Sequence, residues 1–150
     1  METLNNKNIS VLMQLSALTQ YIVPLGNFIF PTLIWSAKKH ESKFINENGK
    51  QAINFQLSLF MYSLALGIVA VPVFIYSLFS GTGYDIVNNG DWSIEQLSAG
   101  KVTGLVLMGL IAAFIILLMK VAEFFLIIYA AVKNSNGECF NYPLTIKFIR

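Results

Sequence analysis

Three long stretches of this chain are almost free of charge. No Asp, Glu, Lys, Arg or His occurs from Asn8 to Ala37 or from Gln51 to Tyr84, and from Val102 to Val132 there are only Lys120 and Glu123. A helix needs about 20 predominantly apolar residues to cross a hydrocarbon core of roughly 30 Å. Segments 9–37, 53–79 and 104–132 qualify, and the second, 27 residues long, would reach about 40 Å at about 1.5 Å per residue. The pattern predicts an all-α, helical integral membrane protein with three transmembrane segments. They form one transmembrane domain over 1–150, with loops at 38–52 and 80–101 and a tail at 133–150.

The first segment is the irregular one. Pro24 and Pro31 each remove a backbone donor and displace the carbonyl four residues earlier, and Gly26 lies between them. Two half-helices with a break near Pro24 to Asn27 are expected, and such a break must face protein or a wet cavity. The segment either crosses once as a kinked, proline-broken helix or enters and leaves on one side as a re-entrant hairpin. The kinked crossing is preferred, because each half alone is short for a span.

Composition agrees with a membrane setting. Hydrophobic residues make up 55% and charged residues 12%, against about 25% charged in ordinary soluble domains, which leaves too little charge to cover a soluble surface. The net charge of +2 matters through its distribution. Lys38, Lys39, Lys43 and Lys50 lie in the first loop, whereas Asp85, Asp91 and Glu95 face Lys101 alone in the second. The positive-inside rule puts loop 38–52 and the C-terminal tail in the cytoplasm, in a plasma (inner) membrane. Met1 to Ser10 lacks the basic start of a signal peptide, so the first apolar stretch is expected to be retained. Trp35, Tyr84 and Trp92 suit the headgroup region.

Chemistry is sparse. One His and one Cys exclude an internal disulfide and a Cys-based metal site. HExxH, GxSxG and Walker-type motifs are absent, and no Asp lies in a span. No enzyme activity, cofactor, metal or nucleic-acid partner is expected. The expected partners are the lipid bilayer and either other membrane subunits or further copies of the chain.

The polar groups inside the spans form the candidate intramembrane site. Lys120 and Glu123, spaced i,i+3, share one helical face with Gly109, Ala113, Ile116, Ile127 and Ala131. A second stripe, Ala52, Gln56, Ser63, Gly67 and Ala70, combines small and hydrogen-bonding residues, and Pro72 is expected to kink the outer half of that helix. Gln20 and Asn27, with Gln14 and Thr19, bring polar groups to the first segment. A paired charge locking a helix interface and a proton or ion relay are both compatible with this set.

Two stretches carry a resemblance. The block from Trp35 to Gln56, with Lys38, Lys39, Gly49, Lys50, Ala52, Asn54, Phe55 and Gln56, resembles a widespread bacterial membrane family of unknown function. Ala131, Lys133, Gly137, Glu138, Tyr142, Pro143 and Leu144 resemble its closing motif, and Pro24, Gly26, Asn27 and Pro31 its first helix. That family is distantly similar to the small multi-span subunit of the chloroplast inner-envelope protein-import translocon. The resemblance implies a non-enzymatic subunit or scaffold of a membrane assembly; the rival is a homo-oligomeric channel or transporter using the Lys120 and Glu123 face. Physics gives the matched residues simple tasks. Asn48 and Gly49 turn the chain, Gly137 caps the third helix, and Lys50, Asn54, Gln56, Tyr142 and Pro143 either form a cytoplasmic docking surface or brace the helix ends.

Overall fold

The computed structural model describes residues 2–79 and 101–150. The outer loop expected at 80–101, with Tyr84, Trp92 and its acidic residues, lies outside them, except that Lys101 opens a helix. The described residues are helical without strands: α1 (Leu4–Ser16), a 3-10 turn (Ala17–Tyr21), α2 (Gly26–Lys38), α3 (Lys43–Phe79) and α4 (Lys101–Ser135). Two helices are long and apolar enough to cross a membrane, over Lys43–Pro72 and Gly109–Ser135.

The first segment is a hairpin. Thr3 caps α1 by accepting a hydrogen bond from the Asn6 amide, and Ser10, Met13, Gln14 and Ala17 give α1 one buried face at helical spacing. The chain leaves helical geometry between Ile22 and Leu25, a turn that contains Pro24. Leu25 takes φ 62, left-handed backbone that a side-chain-bearing residue adopts only when its surroundings enforce it. Gly26 then passes so close to Thr19 that a Cβ would clash with its backbone and hydroxyl. From there α2 runs back against α1, unbroken through Pro31. Its start lies beside the middle of α3, where Phe28 meets Phe60 edge-on at 5.9 Å. Its end lies beside the start of α3, where the Trp35 indole donates to Asn46 Oδ1 at 3.0 Å. The two ends of the segment meet: the Ser42 hydroxyl donates to Glu2 Oε2 at 3.2 Å. The preferred kinked crossing is therefore not the geometry found. Each arm is 13 residues, about 20 Å, and the pair closes on itself.

The first loop is shorter than expected. Ser42 receives the Phe44 amide on its hydroxyl and the Asn46 amide on its carbonyl, so α3 begins at Lys43 rather than in the low fifties. Asn48, Gly49 and Lys50 are helical and turn nothing. Gly49 is instead where the Trp35 ring packs against α3, leaving no space for a Cβ. At the far end of α4, Gly137 adopts φ 84 and its neighbours close the helix: the Gly137 amide donates to the Asn134 carbonyl and the Glu138 amide to the Lys133 carbonyl.

The described residues divide into two compact units. The first joins the chain up to Met61 to Lys120–Arg150 and holds the buried core, with Phe55, Ala130 and Tyr142 at its centre. The second lies between Tyr62 and Met119, where α3 and α4 expose apolar side chains such as Ile68, Val69, Leu110 and Phe114. A Cβ added at Gly67 or Gly109 would meet no atom of the described residues. Neither glycine marks the close helix approach that its stripe suggested. The helix runs on through Pro72.

Candidate functional site

In the first unit α1 runs antiparallel to the last four turns of α4. Lys7 donates to the Asn136 carbonyl at one end, and Gln20 reaches Glu123 at the other. There the amide and the two charges close a ring: Gln20 Nε2 donates to Glu123 Oε1 at 2.8 Å, Lys120 Nζ donates to Glu123 Oε2 at 2.8 Å, and the same Nζ donates to Gln20 Oε1 at 3.0 Å. Glu123 is 1% exposed while the Lys120 side chain is 51% exposed. The carboxylate thus has both oxygens satisfied by two side chains, one of them cationic, as a buried charge requires. Asn27 and Gln56 form a separate pair, Asn27 Nδ2 donating to Gln56 Oε1 at 2.7 Å. The five residues of the predicted intramembrane site are thus two clamps: one fastens the hairpin to α4, the other to α3.

The predicted docking residues scatter by contrast. Asn54, Gln56 and Tyr142 are buried, Pro143 is exposed, and Lys50 pairs with Glu47 at 3.0 Å. Asn54 holds the tail: its Oδ1 accepts from the Phe148 and Ile149 amides, and its Nδ2 donates to the Ile149 carbonyl. Tyr142 lies flat on Phe55 at 4.1 Å and donates its hydroxyl to Gln14 Oε1 at 2.7 Å. Burial, and to a smaller extent the Glu123 charge, push the Tyr142 phenol well above its ordinary range. It therefore stays a donor.

Sequence reasoning missed Ser58 in this scaffold and did not assign the parts that Asn48 and Gln14 play in it. Asn48 is fully buried, donates to the Phe44 carbonyl and Cys139 Sγ, and accepts the Phe140 amide. Ser58 accepts the Ile146 amide. Gln14 donates to the Asn48 carbonyl. The available signal for Ser58 was a hydroxyl one turn after the matched Asn54. Ser10 Oγ and both polar side-chain atoms of Asn134 are buried without a protein hydrogen-bond partner. Cys139 titrates above its ordinary value because burial penalises the thiolate, an effect partly offset by the Asn48 amide. Among the described residues no three His, Cys, Asp or Glu side chains come together as a metal site.

Searches of curated proteins and of solved structures return no match. The resemblance to a small bacterial membrane family holds at that level, and the more distant likeness to a chloroplast import subunit finds no support. A family profile covers residues 5–149, which includes the hairpin, both clamps and the tail, and by this match the chain belongs to the magnetosome magnetite crystal formation protein family.

Proposed function

We propose that this chain is a non-enzymatic membrane scaffold: a hairpin and a tail fastened to two spanning helices, whose apolar outer faces are open to lipid or to other subunits. What carries the reading is the internal pairing of most polar side chains in the first unit: among the described residues only Ser10 Oγ and the Asn134 amide are buried without a protein partner, and the buried Glu123 carboxylate is fully bonded. Gln20, Asn27, Gln56, Glu123, Asn54 and Tyr142 all bond to one another, to Lys120 or to the tail. A transport or catalytic site keeps polar groups turned to a passage or a cleft. What passes from the family to this chain is a membrane-associated, non-catalytic role. By the positive-inside rule the end that holds Lys38, Lys39, Lys43 and Lys50 is cytoplasmic, and with it the tail.

The test is to isolate the tagged full-length chain from native membranes in mild detergent and determine the composition of what comes with it. A stoichiometric second protein, lost when the tail is released by Asn54→Ala, supports the scaffold. A pure homo-oligomer that conducts ions in liposomes, with conduction lost in Lys120→Met/Glu123→Leu, would overturn it in favour of a pore.

A further inference from the structure

We infer that the α1–α2 hairpin is a half-membrane insertion, seated among the acyl chains of one leaflet, with its N-terminus on the same side as the C-terminal tail. The inference rests on reading α3 and α4 as membrane spans. Three independent observations fix the depth and direction of the hairpin.

The first is where its ends lie. Glu2 bonds Ser42, and Lys7 reaches the carbonyl of Asn136 just past α4. The start of the hairpin, the start of α3 and the end of α4 therefore share one end of the first unit. The second is where its apex lies. Gln20 is held at Glu123, 12 residues before the Ser135 end of α4, a rise of about 18 Å. A hydrocarbon core of roughly 30 Å therefore contains the apex near its middle and does not let it through. The third is what the hairpin shows to its surroundings. Leu12, Leu15, Ile29 and Leu33 are exposed along its arms, and Ile22 and Leu25 at its tip, an apolar outside that water would penalise. The charges fall only at its open end, with Glu2 just before α1, Lys7 in the first turn of α1, and Lys38 and Lys39 at the end of α2.

Internally bonded backbone explains why such an insertion holds. Irregular backbone at membrane depth is tolerated only where protein satisfies it. Here the turn is closed from within: the Ile22 and Val23 amides both donate to the Thr19 carbonyl, and the Gly26 amide donates to the Val23 carbonyl. The occupant of the outer faces is lipid, because the exposed residues are aliphatic at the depths where α3 and α4 are themselves apolar.

The experiment uses the full chain with Cys139→Ser, adding Asn5→Cys, His40→Cys, Lys147→Cys or Val23→Cys one at a time. A membrane-impermeant maleimide is applied to intact cells and to inverted vesicles. Expected is labelling of Asn5→Cys, His40→Cys and Lys147→Cys from one and the same side, and no labelling of Val23→Cys from either. A bimane on Val23→Cys, in phosphatidylcholine vesicles with nitroxide-bearing acyl chains, should be quenched more strongly by a deep nitroxide than by a shallow one. Labelling of Asn5→Cys and His40→Cys from opposite sides would overturn the hairpin. An apex neither labelled nor quenched would overturn lipid as its occupant in favour of a protein, and an apex labelled from water would overturn the insertion. Extraction of the unmodified chain by alkaline carbonate would instead sink the membrane reading itself.

Discussion

The ring at Glu123 makes a prediction whose sign pattern is unusual. Lys120→Met leaves a carboxylate that is 1% exposed facing only the Gln20 amide. An unpaired buried charge of this kind costs about 3–5 kcal/mol. Glu123→Leu leaves the lysine, but its side chain is 51% exposed and can swing its ammonium away on four methylenes. Discounted for that exposure, the cost is about 1–2 kcal/mol. The double change Lys120→Met/Glu123→Leu removes both charges and leaves only Gln20 short of partners, about 1–3 kcal/mol. The double variant should therefore be more stable than Lys120→Met alone, a coupling of more than about 1 kcal/mol between neighbours in one network. Adding Gln20→Leu should recover part of the remainder. The assay is reversible unfolding of the parent and the four variants in one detergent, followed by helix signal. Additive single changes, or a larger loss from Glu123→Leu than from Lys120→Met, would refute the argument that the buried carboxylate sets the energy of the clamp.

Three other outcomes follow from single contacts. Tyr142→Phe keeps the ring stacked on Phe55 but strands Gln14 Oε1, a loss of about 1–3 kcal/mol read as a lower unfolding temperature. Because the folded phenol titrates above the ordinary 10.0, its contribution is complete below about pH 10 and fades as pH rises further, and Tyr142→Phe should lack that component in a pH series. Gly49→Ala puts a methyl into the Trp35 ring and should cost about 1–3 kcal/mol, with a red shift of Trp35 emission as the ring is displaced; unchanged emission would contradict the packing. Cys139 is exposed but its thiol is held above its ordinary value of 9.0, chiefly by partial desolvation, so its reaction with maleimide should be slow at pH 7 and accelerate only above that value; a rate plateau already reached near neutral pH would contradict the raised pKa.

The elements that the sequence made legible are those that one stretch determines alone. Helices α3 and α4, long and apolar enough to cross a membrane, announce themselves by length and sparse charge, and Gly137 ends α4 with no help from elsewhere. Lys120 and Glu123 also stand out, because an i,i+3 charge pair in an apolar run has few uses. What stayed hidden depends on partners far along the chain. The direction taken after Ile22 is decided by Gln20 meeting Glu123, 103 positions away, and by Asn27 meeting Gln56; local proline chemistry is compatible with either course. The early start of α3 has the same origin. Asn48 and Gly49 read as a turn by composition, yet Trp35 packing on Gly49 and Asn48 bonding Phe140 keep them in a helix. Whether Tyr142 and Asn54 form a docking surface or brace the helix ends stayed open for a related reason, since a motif conveys that residues matter without conveying which way they face.

The kinds of residue used for these long-range contacts support the scaffold. Most links within the first unit are made by Gln, Asn, Ser and Tyr, and the Lys120–Glu123 ion pair lies within α4 and reaches the hairpin through the Gln20 amide. Neutral amides are the economical choice at membrane depth, because burying one with a good partner avoids the desolvation of a full charge. Each amide also carries both a donor and an acceptor. Gln14 can therefore bond Tyr142 and the Asn48 carbonyl together, and Asn54 can take two amides while giving one bond back. Such two-handed links fix register as well as contact, which a hairpin of two 13-residue helices needs, being too short to hold its place by apolar packing alone. Charged groups at the open end, Lys7 and Glu2, are partly exposed, whereas the buried charge of Glu123 sits near the apex. There a carboxylate bound by both an amide and an ammonium resists slipping by a turn more strongly than any neutral pair, because a slipped register would leave it buried and alone.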